Sequence, residues 1–180
     1  MDTDDAPREP APAQAHHIIV QGEAGTARLA ALLATLAAPG DIIALFGDLG
    51  AGKTVFARAF INALTGHAEE VPSPTFTLVQ MYDTQRGAIY HFDMYRLEQP
   101  DDALELGVED AFAGGICLIE WPARLGPWLP HNRLDITLGA GDDENVRIIE
   151  IRSDTAHWNE RLATLPAWDT IPGITSDSPS

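Results

Sequence analysis

The chain has 180 residues and a formal net charge of −16, from 27 acidic and 11 basic side chains. This length is enough for one domain with a buried core and too short for two full domains. So acidic a surface argues against direct, general nucleic-acid binding and favours a basic protein partner, although the same charge also promotes solubility. The chain has no apolar run long enough to cross a bilayer, a start unlike a signal peptide and a single cysteine, Cys117; we therefore expect a cytoplasmic protein without an internal disulfide.

The first half of the chain predicts an arm and then an alternation of strands and helices. Residues 1–15 carry almost no large apolar side chains, so we expect a disordered acidic arm rich in Pro and Ala. "HHIIVQ" at 16–21 predicts a short strand, and Thr26 is placed to cap the following helix, "ARLAALLATLAA". "DIIALF" at 41–46 is a continuous apolar run typical of a buried parallel strand, and a helix is expected over about residues 53–64.

The second half predicts two hairpins with another buried strand between them. "TFTLVQMY" and "AIYHFDMYRL" flank the turn-like "DTQRG", and "RLDITL" and "NVRIIEIR" flank "GAGDDE". "DALELGVEDAF" predicts a helix broken near Gly107, and "ICLIEW" at 116–121 predicts a buried strand ended by Pro122. We expect residues 154–180 to be an extension that is partly helical and, beyond about Trp168, disordered.

One loop in this plan has the pattern of a phosphate-binding P-loop. "GDLGAGKT" follows a predicted buried strand, opens a predicted helix and matches Gly-x4-Gly-Lys-Thr in full. Glycines let the backbone aim N–H groups at phosphates, the helix adds its positive end, Lys53 can reach the β- and γ-phosphates and Thr54 can bind Mg²⁺. Lys53 is the only lysine in the chain, which agrees with a phosphate-binding role for this position. The alternative interpretation of this stretch is a Gly-rich connector. The residues predicted to bind the nucleotide here are Gly47, Asp48, Leu49, Gly50, Ala51, Gly52, Lys53 and Thr54.

Together these elements predict a single α/β domain of the P-loop NTPase type over residues 16–153. We expect a mixed central sheet with parallel strands at the P-loop and antiparallel hairpins at the edges. Helices should cover both faces of this sheet.

Two acids follow apolar strands. Asp93 ends "IYHFD" and Glu120 ends "ICLIE", so both are expected at the carboxyl edge of the sheet, where open α/β folds bind ligands. Each alone is equally explained as a solvated acid, but the pair beside a P-loop favours Mg²⁺ binding. His91 is expected on the face of Asp93 by strand alternation, as a structural residue or a partner of a site residue. Thr75, after the stiff "VPSP", is placed either to sense a γ-phosphate or simply in a rigid loop that enters a strand.

The remaining candidate residues have ordinary interpretations. Cys117 lies within an apolar strand and is expected to be a small core residue rather than a nucleophile. Trp121 could face the nucleotide or simply pack. The histidines are scattered, which gives little support for a histidine metal site.

With these residues assembled, the chain resembles the bacterial tRNA threonylcarbamoyladenosine biosynthesis ATPase family, known as TsaE or YjeE. The matching stretches are "GDLGAGKT", "SPTFTLV", "YHFDMYRL", "ELGVEDAF" and "ICLIEWP", in that order, and the resemblance covers about residues 20–138. It implies a subunit that binds and hydrolyses ATP with Mg²⁺ and works with two partners, of the TsaB and TsaD type. Those partners attach threonylcarbamoyl to the adenosine beside the anticodon of ANN-decoding tRNAs, so contact with tRNA would be indirect and no membrane is involved.

The resemblance also implies roles for single residues. Lys53 matches the phosphate-binding lysine of the family, and Thr54 matches its Mg²⁺-binding hydroxyl residue. Glu120 resembles the Mg²⁺-associated acid and Asp93 the other essential acid, and either or both would complete the metal site. Thr75 matches a threonine of a switch-like loop. Trp121 and, less closely, Thr26 match residues beside the nucleotide, which is ATP or ADP.

Three other functions compete with this interpretation. A small-molecule kinase would need a basic lid, and a GTPase would need an Asn-Lys-x-Asp motif whose lysine this chain lacks. A nucleotide-dependent adaptor with incidental hydrolysis fits the same P-loop. No arginine stands in an obvious loop beside the phosphates, since Arg58, Arg86 and Arg96 lie elsewhere, so we expect hydrolysis to be slow until a partner activates it.

Overall fold

The computed structural model describes residues 14–66 and 70–177. Within these residues eight strands form one sheet in the order β3-β4-β5-β2-β6-β7-β1-β8. The strands are β1 (Gln14–Gln21), β2 (Ile42–Phe46), β3 (Val79–Thr84), β4 (Gly87–Asp93), β5 (Ile116–Glu120), β6 (Leu134–Ala140), β7 (Val146–Ser153) and β8 (Ile174–Ser176). The expected disordered arm lies outside the described residues except for its last two positions, which begin β1.

Helical segments cover both faces of the sheet, as predicted. Ile43 and Leu45 of β2 pack in one buried cluster, whereas Ile42 packs in the cluster on the other face. In the described part of the chain, no helix is long and apolar enough to cross a membrane. The α-helices are α1 (Gly22–Ala34), α2 (Lys53–Thr65), α3 (Val108–Gly114) and α4 (Ala156–Leu162), and 3₁₀ segments span Pro100–Leu106, Pro122–Trp128 and Trp168–Thr170.

The sheet is mixed, with its parallel strands at the P-loop, which confirms the predicted fold class. β2 pairs in parallel with β5 and β6, and β4 pairs in parallel with β5. The two predicted hairpins are β3–β4 and β6–β7, both antiparallel. The carboxyl ends of β2, β4 and β5 therefore meet at one edge, where Asp93 is directly paired with Glu120.

The start of α1 differs from the prediction. Gly22 adopts a left-handed conformation (φ 63°) and begins the helix directly after β1, with its N–H donating to the carbonyl of Asn145. Thr26 therefore lies inside α1, where its hydroxyl donates to the Gly22 carbonyl at 3.4 Å, and the predicted cap is wrong. The turn depends on a glycine and a distant carbonyl, which apolar periodicity does not reveal.

The chain after β7 adds to the sheet. α4 is the expected helical part, and its Arg161 donates to the buried carboxylate of Asp41 at 2.6 Å. Ile174–Ser176 pairs with β1 as an edge strand. The predicted disorder beyond about residue 168 is therefore wrong up to residue 177, because a three-residue strand gains its order from a neighbour far away in sequence.

Candidate nucleotide-binding site

A cavity of about 460 Å³ opens at the carboxyl edge of the sheet. It is enclosed by the P-loop, the start of α2, the ends of β4 and β5, the start of α1 and the β6–β7 turn. The predicted site residues that line it are Thr26, Leu49, Gly50, Ala51, Gly52, Lys53, Thr54, Thr75, Asp93, Glu120 and Trp121. Gly47 and Asp48 do not line the cavity, but their carbonyls accept hydrogen bonds from Lys53.

Two glycines set the path of the P-loop. Gly47 (φ 141°) packs so closely on β6 that an added Cβ would lie 2.5 Å from the carbonyl oxygen of Leu138. Gly52 (φ 105°) precedes α2 in a left-handed conformation that side chains rarely adopt. The loop consequently delivers Lys53 and Thr54 to the first turn of α2, at the positive end of the helix.

Lys53 is folded onto its own loop. Its Nζ donates to the carbonyls of Gly47 at 2.6 Å and Asp48 at 2.8 Å, and lies 4.1 Å from the centre of the Trp121 ring. Burial lowers the pKa of this ammonium, against the opposing influence of Glu120 and the other nearby carboxylates. Trp121 takes a left-handed conformation (φ 57°), which is rare for a bulky residue.

Glu120 is the centre of one hydrogen-bonded group, which we name the Glu120 cluster: Glu120, Thr54 and His91. The Thr54 hydroxyl lies 3.3 and 3.2 Å from the two carboxylate oxygens. The Nε2 atom of His91 lies 2.8 Å from Oε1 of Glu120. The hydroxyl and the acid predicted to bind Mg²⁺ are thus in contact.

Asp93 is the centre of a second group, the Asp93 cluster: Asp93, Ser73 and Thr75. Its Oδ2 accepts hydrogen bonds from the hydroxyls of Ser73 at 3.2 Å and Thr75 at 3.0 Å, and these two hydroxyls are 2.9 Å apart. Its Oδ1 accepts from the backbone N–H of Tyr95 at 3.0 Å. Both oxygens of Asp93 are therefore occupied by the loop before β3 and the turn after β4.

The start of β7 supplies a cation that the sequence analysis did not place in the site. Arg147 lines the cavity and donates from Nε to the P-loop carbonyl of Ala51 at 3.3 Å. Its Nη1 donates to the carbonyls of Glu144 at 2.6 Å and Val146 at 2.9 Å. The sequence analysis, which found no arginine in an obvious loop beside the phosphates, missed Arg147. It considered loops near the motif in sequence, whereas the contact joins residues 96 positions apart.

The donor set fits Mg²⁺ held together with phosphates. In the described chain no group of three or more His, Cys, Asp or Glu side chains could enclose a metal ion by itself. Mg²⁺ commonly takes only one or two protein oxygens and completes its shell with phosphates and water. Thr54 and Glu120 supply such a pair beside the loop, whereas the oxygens of Asp93 have other partners.

Fold and site together define a single P-loop NTPase domain. The profile of the family described as "Threonylcarbamoyl adenosine biosynthesis protein TsaE" matches residues 20–149. The chain belongs to the TsaE family.

Individual relatives agree with this assignment. A "tRNA threonylcarbamoyladenosine biosynthesis protein TsaE" of Rickettsia felis is 41% identical over 139 residues, which is 77% of this chain and 81% of the relative. The protein of the same name from Bacillus subtilis (strain 168) is 45% identical over 121 residues, covering 66% of this chain and 75% of the relative. The crystal structure of Bacillus subtilis YdiB has a TM-score of 0.71 at 30% identity, over 85% of this chain and 95% of that one.

Proposed function

We propose that this chain is the ATP-binding and hydrolysing subunit of tRNA threonylcarbamoyladenosine biosynthesis. It acts in the cytoplasm on a partner complex of the TsaB and TsaD type and allows that complex to turn over repeatedly. The partners carry out the chemistry on the adenosine of ANN-decoding tRNAs. Contact of this chain with tRNA is indirect.

The observation that carries the proposal is the position of the cavity within the family match. The P-loop, the Glu120 cluster and the Asp93 cluster all fall within residues 20–149 and meet at one edge of the sheet. The net charge of −16 supports a protein partner, because such a surface repels the tRNA backbone.

The residues of the cavity suggest how ATP would be held. The P-loop backbone and Lys53 would bind the phosphates, and Thr54 with Glu120 would hold Mg²⁺, which neutralises phosphate charge when bound. Trp121 covers Lys53 and limits the access of water to it. Asp93 holds the hydroxyl of Thr75 in the loop that borders the cavity.

Reconstitution of the tRNA modification from purified components tests the proposal. We expect many modified adenosines per partner complex with this chain and about one without it. Lys53→Ala should behave like omission of the chain, and Lys53→Arg should fall between, because a guanidinium keeps the charge but is broader than an ammonium. Repeated turnover without the chain would overturn the proposal.

ATPase assays distinguish an enzyme from an adaptor with incidental hydrolysis. We expect slow hydrolysis by the chain alone and faster hydrolysis with both partners, and this acceleration should weaken as salt rises because the chain is so acidic. A partner complex that turns over with a non-hydrolysable ATP analogue would favour the adaptor.

A further inference from the structure

His91 is buried at the bottom of the site and has one polar contact in the described structure. The side chain is fully buried, Glu120 is 2% exposed, and the Nε2–Oε1 distance is 2.8 Å. A carboxylate withdrawn from water to this degree needs hydrogen-bond donors. The donors on the Glu120 side chain are the ring of His91 and the hydroxyl of Thr54.

The register between β4 and β5 brings the side chains of His91 and Glu120 together. In the β4–β5 pair, His91 is aligned with Leu118, and Asp93 with Glu120. His91 and Glu120 are therefore diagonal neighbours on one face of two parallel strands. Neighbouring strands hold the backbones of β4 and β5 on both sides, and the full burial of His91 leaves its ring little room to turn away.

The second ring nitrogen of His91, Nδ1, helps to explain why a histidine occupies this position. Nδ1 of His91 is buried and has no hydrogen-bond partner among the described residues. An unpartnered buried nitrogen is unfavourable, and an apolar side chain would fill the same position without it. The Nε2 contact with Glu120 therefore accounts for a histidine at this position.

We propose that His91 is a positioning residue for Glu120, an inference that rests on the proposed function. In this arrangement Nε2 of His91 donates to Oε1 of Glu120, because a carboxylate oxygen is an acceptor. This bond fixes the carboxylate with its oxygens beside the Thr54 hydroxyl, where the two residues together present oxygen ligands to Mg²⁺. Partners that orient a metal ligand commonly affect metal affinity or activity about 10- to 100-fold.

Three variants of β4 test whether His91 positions the carboxylate of Glu120 or only fills space in the core. His91→Phe keeps a ring without a donor, and we expect the Mg²⁺ concentration for half-maximal ATPase to rise about 10- to 100-fold. ATP affinity in EDTA should be unchanged. His91→Gln places an amide donor near the position of Nε2 and should restore most of the metal affinity. Ile89→Val, two residues earlier on the same buried face, is the control and should leave the Mg²⁺ requirement unchanged.

A double variant tests whether His91 acts through Glu120. Because the ring has no other polar partner among the described residues, His91→Phe should add little to the Mg²⁺ requirement of Glu120→Gln. Independent, additive effects would overturn the proposal, as would a His91→Phe variant that behaves like Ile89→Val.

The tautomer of His91 gives a readout that needs neither metal nor nucleotide. In ¹⁵N spectra of the free protein we expect the Nε2–H form with a slowly exchanging proton, lost in Glu120→Ala. An Nδ1–H form would overturn the proposal even if His91→Phe failed to fold. If the wild-type chain lacked Mg²⁺-dependent ATPase activity while this spectrum was as expected, the proposed function would fail and the contact would stand.

Discussion

The two carboxylates at the carboxyl edge of the sheet are equally buried but are held by different kinds of structure. Glu120 is 2% exposed and contacts His91 in β4 and Thr54 in α2, which are both regular elements. Asp93 is 4% exposed, but its side-chain partners Ser73 and Thr75 lie in the loop before β3. Regular elements hold Glu120 in place, whereas Asp93 holds a loop in place.

The loop before β3 buries Val71 in the core but leaves its later residues more exposed. Phe76 is 83% exposed and has Arg96 over its ring at 4.6 Å, and Leu78 adopts a left-handed conformation (φ 64°). Segments with few buried contacts open more readily than the strands beside them. The comparison supports the proposal that Glu120 is preorganised to bind Mg²⁺ and that Asp93 holds the hydroxyl of Thr75 in place.

The largest effect is expected from Glu120→Gln, which removes the charge and keeps the shape. Hydrolysis of ATP should fall on the order of 10²- to 10³-fold, because charge stabilisation beside the reacting phosphates is lost. The Mg²⁺ requirement should rise, while ATP affinity in EDTA should not change. Steady-state ATPase at varied Mg²⁺ and calorimetry measure these quantities, with Glu105→Gln on the exposed surface as a control. An unchanged Mg²⁺ requirement would remove Glu120 from the metal site.

The next effect is expected from Asp93→Ala. Turnover should fall about 10- to 100-fold, as for other groups that orient a reacting site. The Mg²⁺ requirement should stay that of the wild type. Amide hydrogen exchange over residues 70–78 should accelerate, because the hydrogen bonds from Ser73 and Thr75 are lost. A rise in the Mg²⁺ requirement as large as that of Glu120→Gln would show that both acids bind the metal, and the comparison would fail.

Smaller effects are expected from the two hydroxyls that Asp93 holds. Thr75→Val removes one hydrogen bond of about 0.5–1.5 kcal/mol, so turnover should fall up to about 10-fold. Ser73→Ala should reduce turnover less, because Thr75 still donates to the same oxygen. Thr75→Ser is the matched control and should retain most activity. Equal losses in Thr75→Val and Thr75→Ser would mean that the methyl group, not the hydroxyl, is important.

The sequence predicted best those parts of the fold in which local signals agree. The apolar runs of β2 and β5, the P-loop and the two hairpins each carry their own pattern and all of them form, although the predicted strand "TFTLVQMY" begins only at Val79. β8 was missed because its order comes from pairing with β1, more than a hundred residues earlier. The cap assigned to Thr26 was wrong because Gly22, four residues earlier, starts the helix.

In the candidate site, too, residues with a local sequence signal could be predicted, whereas residues brought in by distant segments could not. Asp93 and Glu120 could be placed together because acids at the ends of adjacent parallel strands must share an edge. Ser73 and Arg147 could not, because a loop and the start of β7 bring them to the cavity from outside the strands that carry the motif. The alternation of β4 did put His91 on the face of Asp93, but only the β4–β5 register pairs its ring with Glu120.

The smallest effect is expected on the chemical labelling of Cys117, which lies in β5, the strand that carries Glu120. The thiol lies in β5, is fully buried and donates to the carbonyl of Ala111 at 3.4 Å. Burial raises the pKa of Cys117 to about 12, so the reactive thiolate is scarce at neutral pH. A thiol reagent should therefore label the native protein only when β5 opens.

Labelling of Cys117 should consequently not respond to release of the loop. Thr75→Val loosens the loop but leaves β5 packed, so its labelling rate should equal that of the wild type. Ile119→Ala, a cavity in the same strand as the thiol, should lower stability by roughly 2–5 kcal/mol and accelerate labelling accordingly. If Thr75→Val accelerated labelling as much as Ile119→Ala, loop and strand would open as one unit. The Asp93 cluster could then not move while the Glu120 cluster stayed in place, and separate roles for the two acids would have no structural basis.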